Sequence, residues 1–259
     1  MSEPRPVLHC RDVHKTFGGL GPGRLKVLDG ISLTVRAGEI VGVFGPNGCG
    51  KTTLIRICAG LLSPDEGRVE VDGKDPHAAE IGYVPQNYRE SLFPWLTNLE
   101  NIAFPLKLRG VSEQERRRRV YALLSRFGIE LPLDRYPYAS SGGEQQKVAF
   151  LRAVVIEPRV ILADECLAAL DFQSRIEVQD QLLSFLRDIG TATLFVSHDP
   201  EEAAYMSDRV VVLTDKPTEI AREVQVGLPP LRQQAMKLSA DMLSARQQIV
   251  SLMVGEVKR

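Results

Sequence analysis

Eight residues, GPNGCGKT from Gly45 to Thr52, match the spacing GxxxxGK[ST]. Gly45, Gly48 and Gly50 let the backbone bend so that successive N–H groups face phosphate oxygens, an approach that larger residues would obstruct. Lys51 is placed to reach the β and γ phosphates of a nucleotide, and the Thr52 hydroxyl to ligate Mg²⁺. Pro46, Asn47, Cys49 and Thr53 complete the run that would touch the nucleotide. Cys49 sits among N–H donors and beside Lys51, which predicts a lowered thiol pKa and reactivity toward thiol reagents. A second chemical pair is Asp164–Glu165, two carboxylates at the tip of the apolar run RVILADE. Carboxylates at the end of a buried strand are costly unless something uses them. With a phosphate loop in the same chain, Asp164 suits Mg²⁺ and Glu165 suits a general base that polarises water. His198 closes another apolar run, TATLFVSHD, where parallel-sheet active sites gather. The stretch SSGGEQQKVAF, from Ser140, places Ser and Gly just before a helical run. It reads either as an ordinary capped loop or as an anion site at a helix start.

The elements that must position these groups are legible nearby. IVGVF before the phosphate loop is a short buried strand, and TLIRICAGLL after it has helical apolar spacing. VLHCRDV (7–13) and ISLTV (31–35) read as a strand pair around a flexible insert, GGLGPGR, with Phe17 on the loop before the second strand. RVEVDG and EIGYVPQ read as strands, the latter reaching Gln86. NYRESLFPWLTNLENIAFPLKLRG carries Phe93, Pro94, Trp95 and Phe104 and is too proline-rich for a regular core helix. It fits a surface that receives another protein's helix, or a local apolar cluster under a loop. SEQERRRRVYALLSRFGI begins with a capping box, Ser112 to Glu115, and its four arginines point in different directions around a solvated helix. A further helix opens near Asp171.

Composition bounds the rest. The chain has 259 residues, 44% of them hydrophobic, ample for a core without staples. With 32 basic against 33 acidic residues, net charge −1 gives no global reason to expect nucleic acid as partner. The four cysteines fall in no metal spacing, and no leading apolar segment resembles a signal peptide, which suggests a reducing, cytoplasmic compartment. No apolar run approaches the roughly 18 residues of a membrane span.

Taken together and in this order, the motifs resemble the ATP-binding subunits of ABC transporters over residues 7 to 220. GPNGCGKT is similar to Walker A, Gln86 to the Q-loop glutamine, and SSGGEQQ to the signature usually seen as LSGGQ. VILADE resembles Walker B with its glutamate, Ala168–Asp171 the D-loop, His198 the switch histidine, and Phe17 the aromatic that stacks on adenine. The resemblance implies an α/β fold: a P-loop ATPase core with a mixed or parallel sheet, an N-terminal antiparallel β subdomain and an inserted α-helical subdomain at about 87–158. A C-terminal helical extension would occupy 221–259. It implies ATP and Mg²⁺ as cofactors, with Thr52, Gln86 and Asp164 toward the metal and Glu165, His198 and Gln86 in catalysis. Ser141, Gly142 and Gly143 would contact the γ-phosphate held by a second ATPase subunit in a head-to-tail dimer, most simply a homodimer.

Three departures from the family pattern stand out: Ser140 for leucine, Glu144 for glutamine, and Cys166 for the proline after the glutamate. Ser140 is expected to weaken packing behind the signature, and Glu144 to bring negative charge toward ATP. The segment SLFPWLTNLENIAFPLKLRGV is similar to ATPases of the nitrate, sulfonate and taurine importer group. That resemblance implies membrane permease partners, an extracytoplasmic substrate-binding protein, and a peripheral place on the cytoplasmic face of the inner membrane. An exporter or lipid-transport ATPase, and more remotely a soluble ABC ATPase acting on nucleic acid or ribosomes, are the alternatives.

Overall fold

The first strands pair as expected but run longer. In the computed structural model, which describes residues 6–18, 23–168 and 170–256, β1 (Leu8–Phe17) lies antiparallel to β2 (Leu25–Val35), with Leu8 opposite Val35 and Phe17 opposite Leu25. Phe17 therefore closes a strand instead of sitting on a loop. Residues 19–22 of the glycine-rich insert lie outside the described residues, as does Ala169 of the expected D-loop. After β3 (Ile40–Phe44) and helix α1 (Lys51–Cys58), β4 (Glu66–Val71) joins β1 on its other edge, giving a three-stranded antiparallel sheet in the order β2-β1-β4.

The larger sheet is built from β3, β5 (Ile81–Val84), β6 (Val160–Asp164), β7 (Ala192–Ser197), β8 (Arg209–Leu213) and β9 (Ile220–Gln225), in the order β5-β6-β7-β3-β8-β9. All neighbours are parallel except β8 and β9. Both faces are covered, so the central strands are apolar on both sides. Alternation divides them between two cores. Val41 and Val43 of β3 pack with α1 and the antiparallel sheet, while Ile40 and Phe44 face the helices opposite. β9 begins at residue 220, so the domain edge expected there falls inside the sheet, and the helical extension begins beyond it.

Between β5 and β6 the chain leaves the sheet for four helices: α2 (Tyr88–Ser91), α3 (Asn98–Leu108), α4 (Glu113–Phe127) and α5 (Gly142–Val154). The proline-rich stretch that argued against a core helix supplies α3, with Pro105 inside it. A full capping box of Thr97 and Glu100 starts this helix, and Ile102, Ala103 and Leu106 bury one face. Those gains outweigh one missing backbone bond. In α4, Ser112 caps Glu115, but the Glu115 carboxylate turns to Arg118 and Arg119 at 2.6–2.8 Å, so only half of the expected capping box forms. These two arginines hold that carboxyl down to about 2.

Helices α6 (Phe172–Ile189) and α7 (Pro200–Met206) cover the sheet, and α8 (Ala240–Glu256) packs Met242, Ala245 and Ile249 onto the same core. Among the described residues no helix is long and apolar enough to cross a membrane.

Candidate functional site

Strands β5, β6, β7 and β3 lie side by side and parallel, so the loops leaving their C-terminal ends open along one edge. This places Gln86 two residues beyond β5, Asp164–Glu165 at the end of β6, His198 just after β7, and the phosphate loop after β3. β5 stops at Val84, short of the expected Gln86, which frees that side chain to turn toward its neighbours. A cavity of about 470 Å³ results, walled by Asn47, Gly48, residues 50–53, Gln86, Glu165 and His198.

The phosphate loop ends on Gly50, whose φ of 124° is a backbone conformation foreign to side-chain-bearing residues; a Cβ there would also lie 2.8 Å from Val27 Cγ1. Helix α1 starts directly after it with no side-chain cap, leaving its first N–H groups to whatever anion the loop receives. Lys51 is almost fully buried, and its ammonium donates to the carbonyls of Gly45 and Pro46 at 3.0 Å each. It stands 3.5 Å from Glu165 Oε1.

Glu165 is the point of convergence. Its Oε2 accepts a hydrogen bond from Gln86 Nε2 at 3.0 Å and lies 3.1 Å from His198 Nδ1. Its backbone is left-handed, φ 43°. That conformation is held by Glu165 N donating to Val196 O at 3.0 Å and Ala168 N to Glu165 O at 3.1 Å. A strained backbone fixed by its surroundings, carrying a carboxylate gripped from three sides, is a positioned group. Behind His198, Asp199 caps α7 through Glu201 N and Glu202 N, and buried Glu202 accepts from Ser197 Oγ and Gln179 Nε2. Sequence reading missed this support.

Asp164 is buried, with Thr52 Oγ1 3.4 Å from its Oδ1 and no hydrogen-bond partner for its Oδ2. Desolvation pushes its carboxyl up to about 6. The Thr52 hydroxyl and the orphaned Asp164 oxygen, with the Gln86 amide in the same cavity as Thr52, are hard oxygen donors of the type that would hold Mg²⁺. Among the described residues no three His, Cys, Asp or Glu side chains converge as a metal cluster. The raised value has a consequence without metal. The folded protein keeps this proton to higher pH than the unfolded chain, so the group's contribution to stability falls as pH rises from about 4 to about 6 and stays lowered above that. Asp164→Asn should therefore raise the nucleotide-free stability at pH 7 by roughly 1–3 kcal/mol, while abolishing the additional stabilisation given by ATP with Mg²⁺. Thermal melts with and without both ligands check it; an unchanged MgATP-dependent shift would remove Asp164 from the metal site.

Other expectations fare differently. Cys49 is buried, and desolvation raises its thiol pKa despite the opposing charge of Lys51, which reverses the predicted reactivity. Cys166 is also buried with its thiol pushed up, a small filler where proline was expected. Phe17 is exposed at the end of β1, 5.7 Å from Lys15 Nζ, and does not wall the cavity. Ser141, Gly142 and Gly143 do not wall it either. Ser141 caps α5: its Oγ accepts from Glu144 N at 3.2 Å, and Glu144 Oε2 accepts from Ser141 N at 2.7 Å. The Glu144 charge is thus bound into its own helix cap.

Ser140 does not weaken its surroundings as expected, because its Oγ accepts a 2.9 Å hydrogen bond from buried Asn98, which a leucine could not offer. Asn101, one turn on, binds the backbone of Phe93, Leu96 and Thr97 and so pins the aromatic turn. These asparagines, three apart within an apolar helical stretch, were the available sequence signal.

A strand-to-loop-to-helix phosphate cradle, a buried lysine and a convergent glutamate define a P-loop nucleotide hydrolase. The profile of the ABC transporter family matches residues 28–168. An uncharacterized ABC transporter ATP-binding protein of Methanocaldococcus jannaschii is 42% identical, covering 90% of this chain and 86% of that one. A spermidine/putrescine import ATP-binding protein of Nitrosospira multiformis is 40% identical over 83% of this chain, which spans 60% of that relative's length. A sulfate/thiosulfate import ATP-binding protein of Pseudomonas syringae pv. tomato is 38% identical over 86% of this chain and 67% of its own. Among solved structures, a dimeric ATP-binding cassette in a post-hydrolysis state with ADP and phosphate superposes with TM-score 0.73 and 31% identity, covering 87% of this chain and 99% of that one. The chain belongs to the ABC transporter family as an ATP-binding, ATP-hydrolysing subunit.

Proposed function

We propose that this chain powers an importer as one of two identical ATPase subunits, bound to membrane permease subunits on the cytoplasmic face of the inner membrane. The observation that carries the reading is spatial. Lys51, Thr52, Gln86, Glu165 and His198 share one cavity, while Ser141, Gly142 and Gly143 stand apart at the start of α5. A phosphate-binding sequence set away from its own phosphate loop suits a site completed by the second copy. Mg²⁺, held by Thr52, Asp164 and Gln86, would neutralise phosphate charge. Lys51 and the loop N–H groups bind and orient the triphosphate. Glu165 takes a proton from the attacking water at its carboxylate, Gln86 and His198 hold that carboxylate in place, and His198 also faces the γ-phosphate. Gln86 and the aromatic turn at 92–95 would carry closure to the permease.

The cargo we propose is a small anion such as nitrate, a sulfonate or taurine, received through an extracytoplasmic substrate-binding protein. Its support is the resemblance of the segment holding the Leu92–Phe93–Pro94–Trp95 turn to ATPases of that importer group; in the turn Phe93 meets Trp95 and Phe104 in tilted ring contacts at 5.4 and 4.6 Å, and Trp95 stays exposed. The names of the relatives span both a cationic cargo, spermidine/putrescine, and an anionic one, sulfate/thiosulfate. Tagged Glu165→Gln, recovered from gently solubilised native membranes with ATP, should bring down a multi-spanning permease. That permease, reconstituted with the parent chain whose Glu165 is intact, should then raise its ATP turnover with the anions and not with polyamines. Recovery of soluble proteins or RNA alone would overturn the transporter assignment, and stimulation by polyamines only would overturn the cargo.

A further inference from the structure

The start of α5 has a charge problem. Its helix end would attract a phosphate, but Glu144 already takes the Ser141 N–H and sets a carboxylate beside the remaining free donors. A phosphate arriving from a second copy would meet that negative charge unless a cation stood with it. One does. Arg89 of α2, three residues beyond Gln86, extends its guanidinium over Gly142, so that a Cβ built on Gly142 would lie 2.9 Å from Arg89 Nη2. The same helix is tied there by Tyr88 OH, which donates to Gly142 O at 3.2 Å, and Arg89 lies across the Tyr88 ring at 5.9 Å. Arg89 is exposed, and among the described residues it forms no ion pair, even with Glu90 beside it in sequence. Gly142 leaves the room that this guanidinium fills.

We infer that Arg89 is the cation of the signature site: in the closed dimer it contacts the terminal phosphate of the nucleotide held by the other copy. This rests on the reading that the second copy completes the site. Arginine suits the role, because its planar fork can bind two phosphate oxygens at once and its charge does not titrate near neutral pH. The position also links two events. Arg89 and Gln86 lie on one short segment, so capturing the partner's phosphate would move the segment that reads the chain's own nucleotide.

The test uses full-length protein in the Glu165→Gln background, with the ATP-dependent dimer dissociation constant measured by sedimentation in MgATP. Arg89→Ala should weaken the dimer at least about tenfold, Arg89→Lys should recover part of the loss, and ATP binding to the monomer should stay unchanged because the contact is made across the dimer. Glu144→Gln keeps the cap geometry and removes the charge, so it should tighten the dimer and lessen the Arg89→Ala penalty. A dimer constant within twofold of the parent for Arg89→Ala would overturn the inference and leave the dimer reading standing. Absence of any ATP-dependent dimer in the parent would overturn both. A loss of monomer ATP affinity in Arg89→Ala would place the arginine in its own chain's site instead, and also overturn it.

Discussion

Glu165→Gln is expected to cut ATP turnover by roughly 10²–10⁴-fold, the usual range for losing a positioned general base, while ATP still binds and holds two copies together. The geometry dictates both halves of that outcome. Lys51, Gln86 and His198 all address the Glu165 carboxylate within 3.5 Å. Glutamine occupies the same volume and keeps one acceptor oxygen, so the cavity holds its shape. It cannot accept a proton, and it removes a negative charge from beside the terminal phosphate, which favours the bound and closed state. Phosphate release measures the first effect, and light scattering in MgATP against MgADP the second. Turnover within tenfold of the parent would mean that the glutamate orients water without accepting its proton. The same monomer mass with both nucleotides would weigh against a self-sufficient pair.

The second large effect is structural. Arg232→Met is expected to destabilise the fold by about 3 kcal/mol, lowering the melting temperature by roughly 6–12 °C. The Arg232 side chain has no exposed surface, and it donates to four carbonyls: Pro229 at 2.9 Å, Ala204 at 3.1 Å, Tyr205, and Ser207 at 2.9 Å. Ala204 and Tyr205 belong to the last turn of α7, where carbonyls run out of intrahelical donors and Ala204 O has only a long 3.4 Å backbone bond from Ser207 N. Arg232 thus caps α7 and fastens the C-terminal extension to the core. Burial, the leading cause, pushes its guanidinium down to about 10, with neighbouring Arg187 adding to the shift; the charge is present throughout the neutral range. Methionine fills the stem volume but leaves buried carbonyls unpaired. Early proteolytic release of α8 would accompany the lowered melting point, and a melting shift under about 2 °C would show that water replaces the guanidinium without loss.

Both predictions turn on contacts of different legibility. The phosphate loop, the Asp164–Glu165 pair and His198 were readable because each is a local signal: glycines where the backbone must bend, polar residues where an apolar run stops. The caps at Ser112 and Ser141 were equally readable, since each acts within one turn, whereas the Thr97 cap was hidden in a stretch whose prolines argued against a helix. Local sequence marked the tips of β3, β6 and β7 and the starts of α1, α4 and α5, and with them the kind of chemistry this chain performs. It could not decide what each charged group meets. Arg232 pairs with carbonyls about 25 residues away, and Arg209 with Glu39 across 170 positions. Glu144 looked like a charge aimed at ATP and is held in its own cap; Cys49 looked activated and is desolvated. The tertiary structure also decided that Pro105 lies inside a helix and that β9 closes the sheet beyond residue 220. The reason is common to all of these cases. Burial and electrostatic environment are set by parts of the chain that are distant in sequence, whereas turns and caps are set by their immediate neighbours.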